Sequence, residues 1–420
     1  MTDSPSPDGF PKLRPLDVRW IEDKRQEYIL LRDPLGFSPE PVVLAGAAAP
    51  LLAMCDGTRD LASIRASAEL RAGLSVTPAQ LEEFVASLDR HLLLDNGRFR
   101  GAVNQALAEY RAAAHRPPAL AGRAYPQEPH QLSRALQGYG RPGDTSAQSG
   151  PGGTGRVMGL LSPHIDYARG GPVYAQSWPL LAEDLEQAEL VVVLGTDHAG
   201  GPGSLTLTRK AYGTPLGVSP TDPDLVDALA KAIGPDEAFA SELHHRNEHS
   251  VELATVWLHH ALGGRTTPMV PVLCGSMHRW VSNGDNPARD GTFQRFLSVL
   301  GDAMARRRTV VVAAGDLAHV GPAFGDPAPF DDGAKARLRE ADRESLAAMQ
   351  KVDARGFFTT LQREKDQRRY CGLTPIYLML RLLEQAGGAQ GQLVSYDQCP
   401  ADEQGGSVVS IAGMVFRTAG

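Results

Sequence analysis

From residue 157 onward the chain alternates short apolar runs with stretches of helical periodicity. Val157–Leu161, Leu190–Leu194, Met269–Leu273 and Thr309–Ala313 read as strands. Their unbroken apolar character is that of strands buried on both faces. Pro223–Ile233, Val251–Leu262 and Phe293–Arg307 carry helical spacing between them, followed by helices at Ala334–Gln350 and Pro375–Gln385 and a closing strand at Val408–Phe416. This alternation predicts an α/β domain with a central, mostly parallel sheet flanked by helices.

The first hundred residues follow another pattern. Glu27–Arg32 reads as a short strand ahead of the turn Asp33-Pro34-Leu35-Gly36, and Thr77-Pro78 offers a helix N-cap with proline at the first helical position. Leu81, Phe84, Val85, Leu88 and Leu92 then recur at helical spacing. Leu92–Phe99 reads as a strand and turn, and a helix follows from Ala102 to Ala114. Together these predict a small, mainly helical, winged-helix-like module over residues 1–114, resembling the peptide-binding modules of the PqqD-like group. The α/β domain then occupies residues 115–420. Within it, residues 138–155 (GYGRPGDTSAQSGPGGTG) are rich in Gly, Pro and Ser and predict a flexible surface loop.

Composition narrows the function. With 42 Lys+Arg against 49 Asp+Glu, the formal net charge is −7, which disfavours a nucleic-acid partner, since such proteins present a basic face. No run approaches the roughly 18 apolar residues of a membrane-spanning helix, and the start MTDSPSPDGFPKLRP lacks the apolar core of a secretory signal. A cytoplasmic protein is the expectation. Four cysteines, Cys55, Cys274, Cys371 and Cys399, lie far apart, which argues against a zinc ribbon or a disulfide scaffold.

The twelve histidines carry the chemical signal. Three of them follow directly on candidate core strands, in SPHIDYARGG, LGTDHAGG and AAGDLAHVG, as His164, His198 and His319. In open α/β sheets ligands bind beyond the carboxyl ends of the strands. Parallel neighbouring strands would therefore bring these imidazoles into one crevice, with Asp166, Asp197 and Asp316 able to ligate or to orient the rings. Cys371 precedes Thr374-Pro375, read as the N-cap and first residue of a helix, and follows Arg368 and Arg369. A helix N-terminus and two cations both favour the thiolate that ligates or attacks. In His244–Glu252, Ser250 is expected to cap the next helix and to set Glu248 and His249 at its entrance as acid–base or orienting groups. The tandem pairs His244-His245 and His259-His260 read as solvated histidines at helix ends, Cys274 as core packing, and Arg306-Arg307-Arg308 as cations at a helix C-terminus.

Taken together, HRPPALAGRAYP (115–126), SPHIDYARGG, LGTDHAGG, NEHSVEL (247–253), AAGDLAHVG, CGLTPI (371–376) and SVVSIAGMVF (407–416) resemble the Memo family, the protein B component of the AmmeMemoRadiSam grouping. That resemblance implies a fold similar to the class III extradiol dioxygenases. It also implies a metal cluster at His164, His198, His319 and Cys371, with Asp316 as companion and iron or copper as the ion. A cysteine stands where a dioxygenase triad of two histidines and a carboxylate would place its third ligand, and this puts simple ring cleavage in doubt. The expectation is a mononuclear, metal-dependent oxidoreductase acting on a small molecule or a modified residue. In it, His319 or His249 moves protons and Asp316 fixes a histidine tautomer. A peptide-binding scaffold using the same crevice and a zinc hydrolase are the alternatives. The N-terminal module is expected to recruit a peptide or a radical-SAM partner.

Overall fold

The computed structural model describes residues 9–140 and 155–419. Contacts divide the chain into one unit up to Ala112 and another from Ala113 to Gly420. In the N-terminal unit β1 (Asp17–Asp23), β2 (Gln26–Arg32) and β3 (Val42–Ala45) form an antiparallel sheet in that order. Helices Ala49–Met54, Leu61–Ala72, Pro78–Arg90 and Gly97–Ala112 complete the unit. Thr77 caps its helix through a reciprocal capping box with Gln80. Ile29, Leu31, Ile64, Leu81, Leu88 and Leu93 make the core of this unit. The strand expected over Leu92–Phe99 does not form: only Leu94 bridges, to Leu13, and a helix already starts at Gly97. Asn96 explains the change, since its side chain accepts the Phe99 N–H at 3.0 Å and opens that helix one turn early.

The second unit is the expected α/β domain. Its strands are β4 (Val157–Ser162), β5 (Leu190–Thr196), β6 (Leu205–Leu207), the hairpin β7 (Tyr212–Thr214) and β8 (Gly217–Ser219), β9 (Met269–Cys274), β10 (Thr309–Ala314), β11 (His319–Val320), β12 (Ala389–Pro400) and β13 (Val408–Thr418). The main sheet runs β11-β13-β4-β10-β5-β9-β6, with β12 also on β13. β4, β10, β5 and β9 are parallel, and the outer strands pair antiparallel. Each parallel strand is buried along its whole length. In β5, Leu190, Val192 and Leu194 join the core beneath helices Pro223–Ile233, Gly291–Arg306 and Leu373–Ala386. Val191 and Val193 face the other core, under Tyr167–Ser177 and Ser250–Leu262. A strand apolar on both faces is what a two-sided sheet requires.

Several local details differ from expectation. The flexible-loop assignment at 138–155 falls largely on residues 141–154, which lie outside the described residues, while Gly138 ends the helix Pro129–Gly138. The helix after Cys371 begins at Leu373, so Thr374 lies within it and donates to the Gly275 carbonyl at 2.7 Å instead of capping. Ser250 does not cap either: its hydroxyl donates to the Thr196 carbonyl at 2.9 Å. Arg116 and Glu252 form a fully buried pair at 2.5 Å. Glu252 also accepts the Ala119 and Leu120 amides, which pins the HRPPAL segment to helix Ser250–Leu262.

Two glycines bring the ends of β10 and of the Cys371 loop together. A Cβ on Gly315 would lie 2.5 Å from the Gly372 Cα, and one on Gly372 2.7 Å from the Asp316 carbonyl oxygen. Both obstacles are backbone, so neither can rotate away. Gly315→Ala is expected to cost about 1–3 kcal/mol, read as a lowered denaturation midpoint. An unchanged midpoint would show that the two loops are not in contact.

Candidate metal centre

Register assembles the site. Ala314 at the end of β10 pairs with Ser162 of β4 on one side and with Gly195 of β5 on the other. The three parallel strands therefore end at one level, and His164, His198 and Asp316 follow within a few residues of those ends. Cys371 arrives from the loop packed on Gly315, its carbonyl held by the Thr196 hydroxyl at 3.0 Å. Its Sγ lies 3.2 Å from Nε2 of His164. The rings of His164, His198 and His249 contact one another, with centroids 5.1, 5.2 and 4.7 Å apart.

Among the described residues, possible donor atoms fall into three groups, each with one atom per residue and all within 4.8 Å of one another: His164, His198 and Cys371; His198, Glu248 and His249; Asp316, His319 and Cys371. His319 thus groups with Asp316 and the cysteine, not with the other two histidines of its expected set.

Acceptors on the far side of each ring set its tautomer. Nδ1 of His164 lies 3.1 Å from the Ala314 carbonyl, and Nδ1 of His319 lies 3.3 Å from the Leu317 carbonyl. A carbonyl only accepts, so each Nδ1 carries the hydrogen and each neutral ring offers Nε2 as a lone-pair donor. Nδ1 of His198 donates in the same way to Glu248, at 3.0 and 3.1 Å. This arrangement of a ligand imidazole backed by an oxygen acceptor is the usual one at metal sites. Asp316 was expected to fix a tautomer, but it does not touch an Nδ1: its Oδ1 accepts the His164 and Ile165 amides at 2.8 and 3.2 Å. Asp166 and Asp197 hold no ring of the cluster either. Asp166 caps helix Tyr167–Ser177, and Asp197 binds Nδ1 of His244 at 2.9 Å.

Glu248 organises the entrance more than its sequence position suggested. It accepts the backbone amides of His198, His249 and Ser250 at 3.2, 2.8 and 3.0 Å, so this carboxylate caps the helix that Ser250 was expected to cap. Burial alone would push Glu248 up, but His198, His249 and the amides outweigh it and hold the acid well below the usual range. Its partner moves the other way: burial lowers His198, yet Glu248 dominates and raises it above the ordinary imidazole value. His164, His249 and His319 are all lowered, chiefly by burial, which favours the neutral form that ligates.

Cys371 does not have the expected activated thiol. Burial and then Asp316 push it well above its ordinary value. Its arginines are engaged elsewhere: Arg368 with Asp342 and Glu364, Arg369 with Asp326. A bound cation reverses this balance, because a coordinating thiol is deprotonated outright. One histidine of each tandem pair is sealed inside rather than solvated, while His244 and His260 stay half-buried. His245 is fully buried between the Tyr212 hydroxyl at 2.5 Å and the Thr206 carbonyl at 3.0 Å. His259 is buried against Thr214 and Ser219. Cys274 is core, as read. The Ala314 carbonyl was invisible to sequence reasoning, because every residue has one. The Asp197–His244 pair joins two motifs 47 residues apart that no local pattern links.

The His198–Glu248 pair yields a pH test. A raised His198 contributes stability that is fully present below the ordinary imidazole value near 6.5 and is lost as pH rises through its own higher value. In metal-free protein Glu248→Gln is expected to drop the His198 NMR titration midpoint below that of the wild type. The stability gap between the two proteins should narrow toward alkaline pH. An unmoved midpoint would mean that the carboxylate does not set the charge of the ring.

Comparison with known proteins adds the lineage. The family model described as "Memo-like protein" matches residues 116–415. A MEMO1 family protein of Aquifex aeolicus is 28% identical over 409 residues, 97% of this chain and 99% of that one, so the alignment spans both units. A MEMO1 family protein of Methanopyrus kandleri is 30% identical over 311 residues, 72% of this chain and 99% of its own. One from Methanosarcina acetivorans is 28% identical over 283 residues, 67% and 91% of the two chains.

Proposed function

The chain belongs to the Memo family, and from that premise we propose that its strand-end cluster holds a single iron or copper ion and serves a metal-dependent oxidoreductase. The observation that carries this reading is the 3.2 Å approach of Cys371 Sγ to a His164 Nε2 whose other nitrogen is already committed to a carbonyl. His164, His198 and Cys371 supply two imidazoles and a sulfur, a donor set soft enough for copper or iron and poorly suited to magnesium or calcium. When bound, such an ion supplies one-electron chemistry and a place for oxygen or a substrate oxygen to bind.

The protein's own groups do the rest. The Ala314 carbonyl and Glu248 aim the two ring nitrogens, so little freedom is lost on binding. The His198 and His249 side chains keep 40% and 38% of their surface exposed, which gives a small molecule or a modified side chain access to the cluster. His249, lowered chiefly by burial and outside the His164–His198–Cys371 set, is the group to take a proton. The N-terminal unit, with Val18, Trp20 and Val43 exposed on its sheet, is assigned the recruitment of a peptide or radical-enzyme partner.

Protein purified under argon is expected to retain or take up at least one equivalent of iron or copper and to consume oxygen with a phenol or thiol substrate. Cys371→Ser and His164→Ala should each weaken metal retention more than tenfold and abolish turnover. A folded protein that refuses both metals would end this reading. Tight zinc without oxygen consumption would favour hydrolysis by a metal-bound water instead.

A further inference from the structure

Cys371 belongs to two donor groups at once. With His164 and His198 it forms the position assigned above. With Asp316 and His319 it forms another, in which one atom of each residue again lies within 4.8 Å of the others.

The second group is as firmly built as the first. The His319 backbone pairs with Val409 in the sheet. Its carbonyl accepts from Arg369 at 3.0 Å, and Phe324 packs edge-on against its ring at 5.0 Å. Nδ1 faces the Leu317 carbonyl, so Nε2 is the free donor. Asp316 is 3% exposed. One of its oxygens takes two backbone amides, while Oδ2 is 3.8 Å from Nε2 of His164, beyond hydrogen-bond reach. A carboxylate buried this deeply is costly unless a cation stands near it. The arginines next in sequence to the cysteine are committed to Asp342, Glu364 and Asp326.

The ligand types decide which residue is shared. A neutral imidazole with Nδ1 protonated has one lone pair and binds one ion, whereas a thiolate sulfur has several and can join two. We propose that Cys371 bridges two cations, one on His164 and His198 and a second on Asp316 and His319. The second position offers nitrogen, oxygen and sulfur, a mixed set that suits a borderline divalent cation of the iron(II), cobalt(II) or zinc class. Two-metal sites place their ions roughly 3.5–4 Å apart, a spacing that a bridging sulfur permits. The inference rests on the metal-centre reading above and extends it from one ion to two.

Cobalt(II) is a suitable probe, titrated into metal-free full-length protein under argon. The readouts are equivalents retained after desalting and the sulfur-to-cobalt charge-transfer absorbance. The wild type is expected to retain two equivalents. His319→Gln and Asp316→Asn should each retain one and keep the absorbance, and Cys371→Ser should lose it. Thermal melts run alongside, so a variant that fails to fold is replaced by its partner in the pair. Saturation of the wild type at one equivalent overturns the second position and leaves the first intact. Two equivalents in both His319→Gln and Asp316→Asn also overturn it. A wild type that takes up no cobalt overturns the metal-centre reading itself.

Discussion

Everything at the candidate centre depends on three parallel strands ending at the same height. Ala314 stands in register with Ser162 on one side and Gly195 on the other, so the residues just past each strand meet at one end of the sheet, where His164, His198 and Cys371 cluster. The register is set by burial. β4, β10 and β5 are apolar on both faces and sit between two packed helical layers. Slipping one strand by a residue would exchange which side chains meet which layer. The histidines are therefore placed by the packing of valines and leucines that never touch a ligand.

A second layer of order comes from acceptors that the site cannot do without. Glu248 is nearly buried and could not remain ionised alone. It is sustained by three backbone amides and the His198 ring, and in return it caps a helix and orients that ring. The Ala314 carbonyl does the same for His164 from the end of β10. Both acceptors engage Nδ1, so Nε2 of each ring is left to face the cluster, that of His164 towards Cys371 Sγ. A single backbone arrangement thus satisfies the buried polar groups and prepares the donors.

The cysteine is held by different means. Gly315 and Gly372 touch through backbone, and Thr196 and Thr374 bond across to the neighbouring loops. This brings sulfur within reach of both histidine groups in a setting that makes the thiol less acidic than usual. The low-pKa thiolate expected from neighbouring arginines was an inference from proximity along the chain. In space those guanidiniums pair with carboxylates on other elements, and burial prevails. Reactive sulfur at this position is a matter of what binds it.

Several features were legible from residue order alone. Runs such as LVVVL at Leu190–Leu194 point to strands buried on both faces, and the periodicity of Pro223–Ile233 matches its helix end to end. Histidines immediately after such runs had to lie at strand ends, since a strand's direction is fixed by the chain. Other features were decided by tertiary structure. His319 keeps company with Asp316 rather than with His164 and His198, and His245 and His259 are sealed inside by partners 33 to 45 residues away in sequence. Which carbonyl backs which ring, and whose carboxylate claims Arg368 and Arg369, depends on contacts between distant segments. Local sequence governs the pattern of apolar side chains and hence the elements. Long-range packing alone governs which polar groups share a low-dielectric space, and so which are charged, which are paired and which are left to bind.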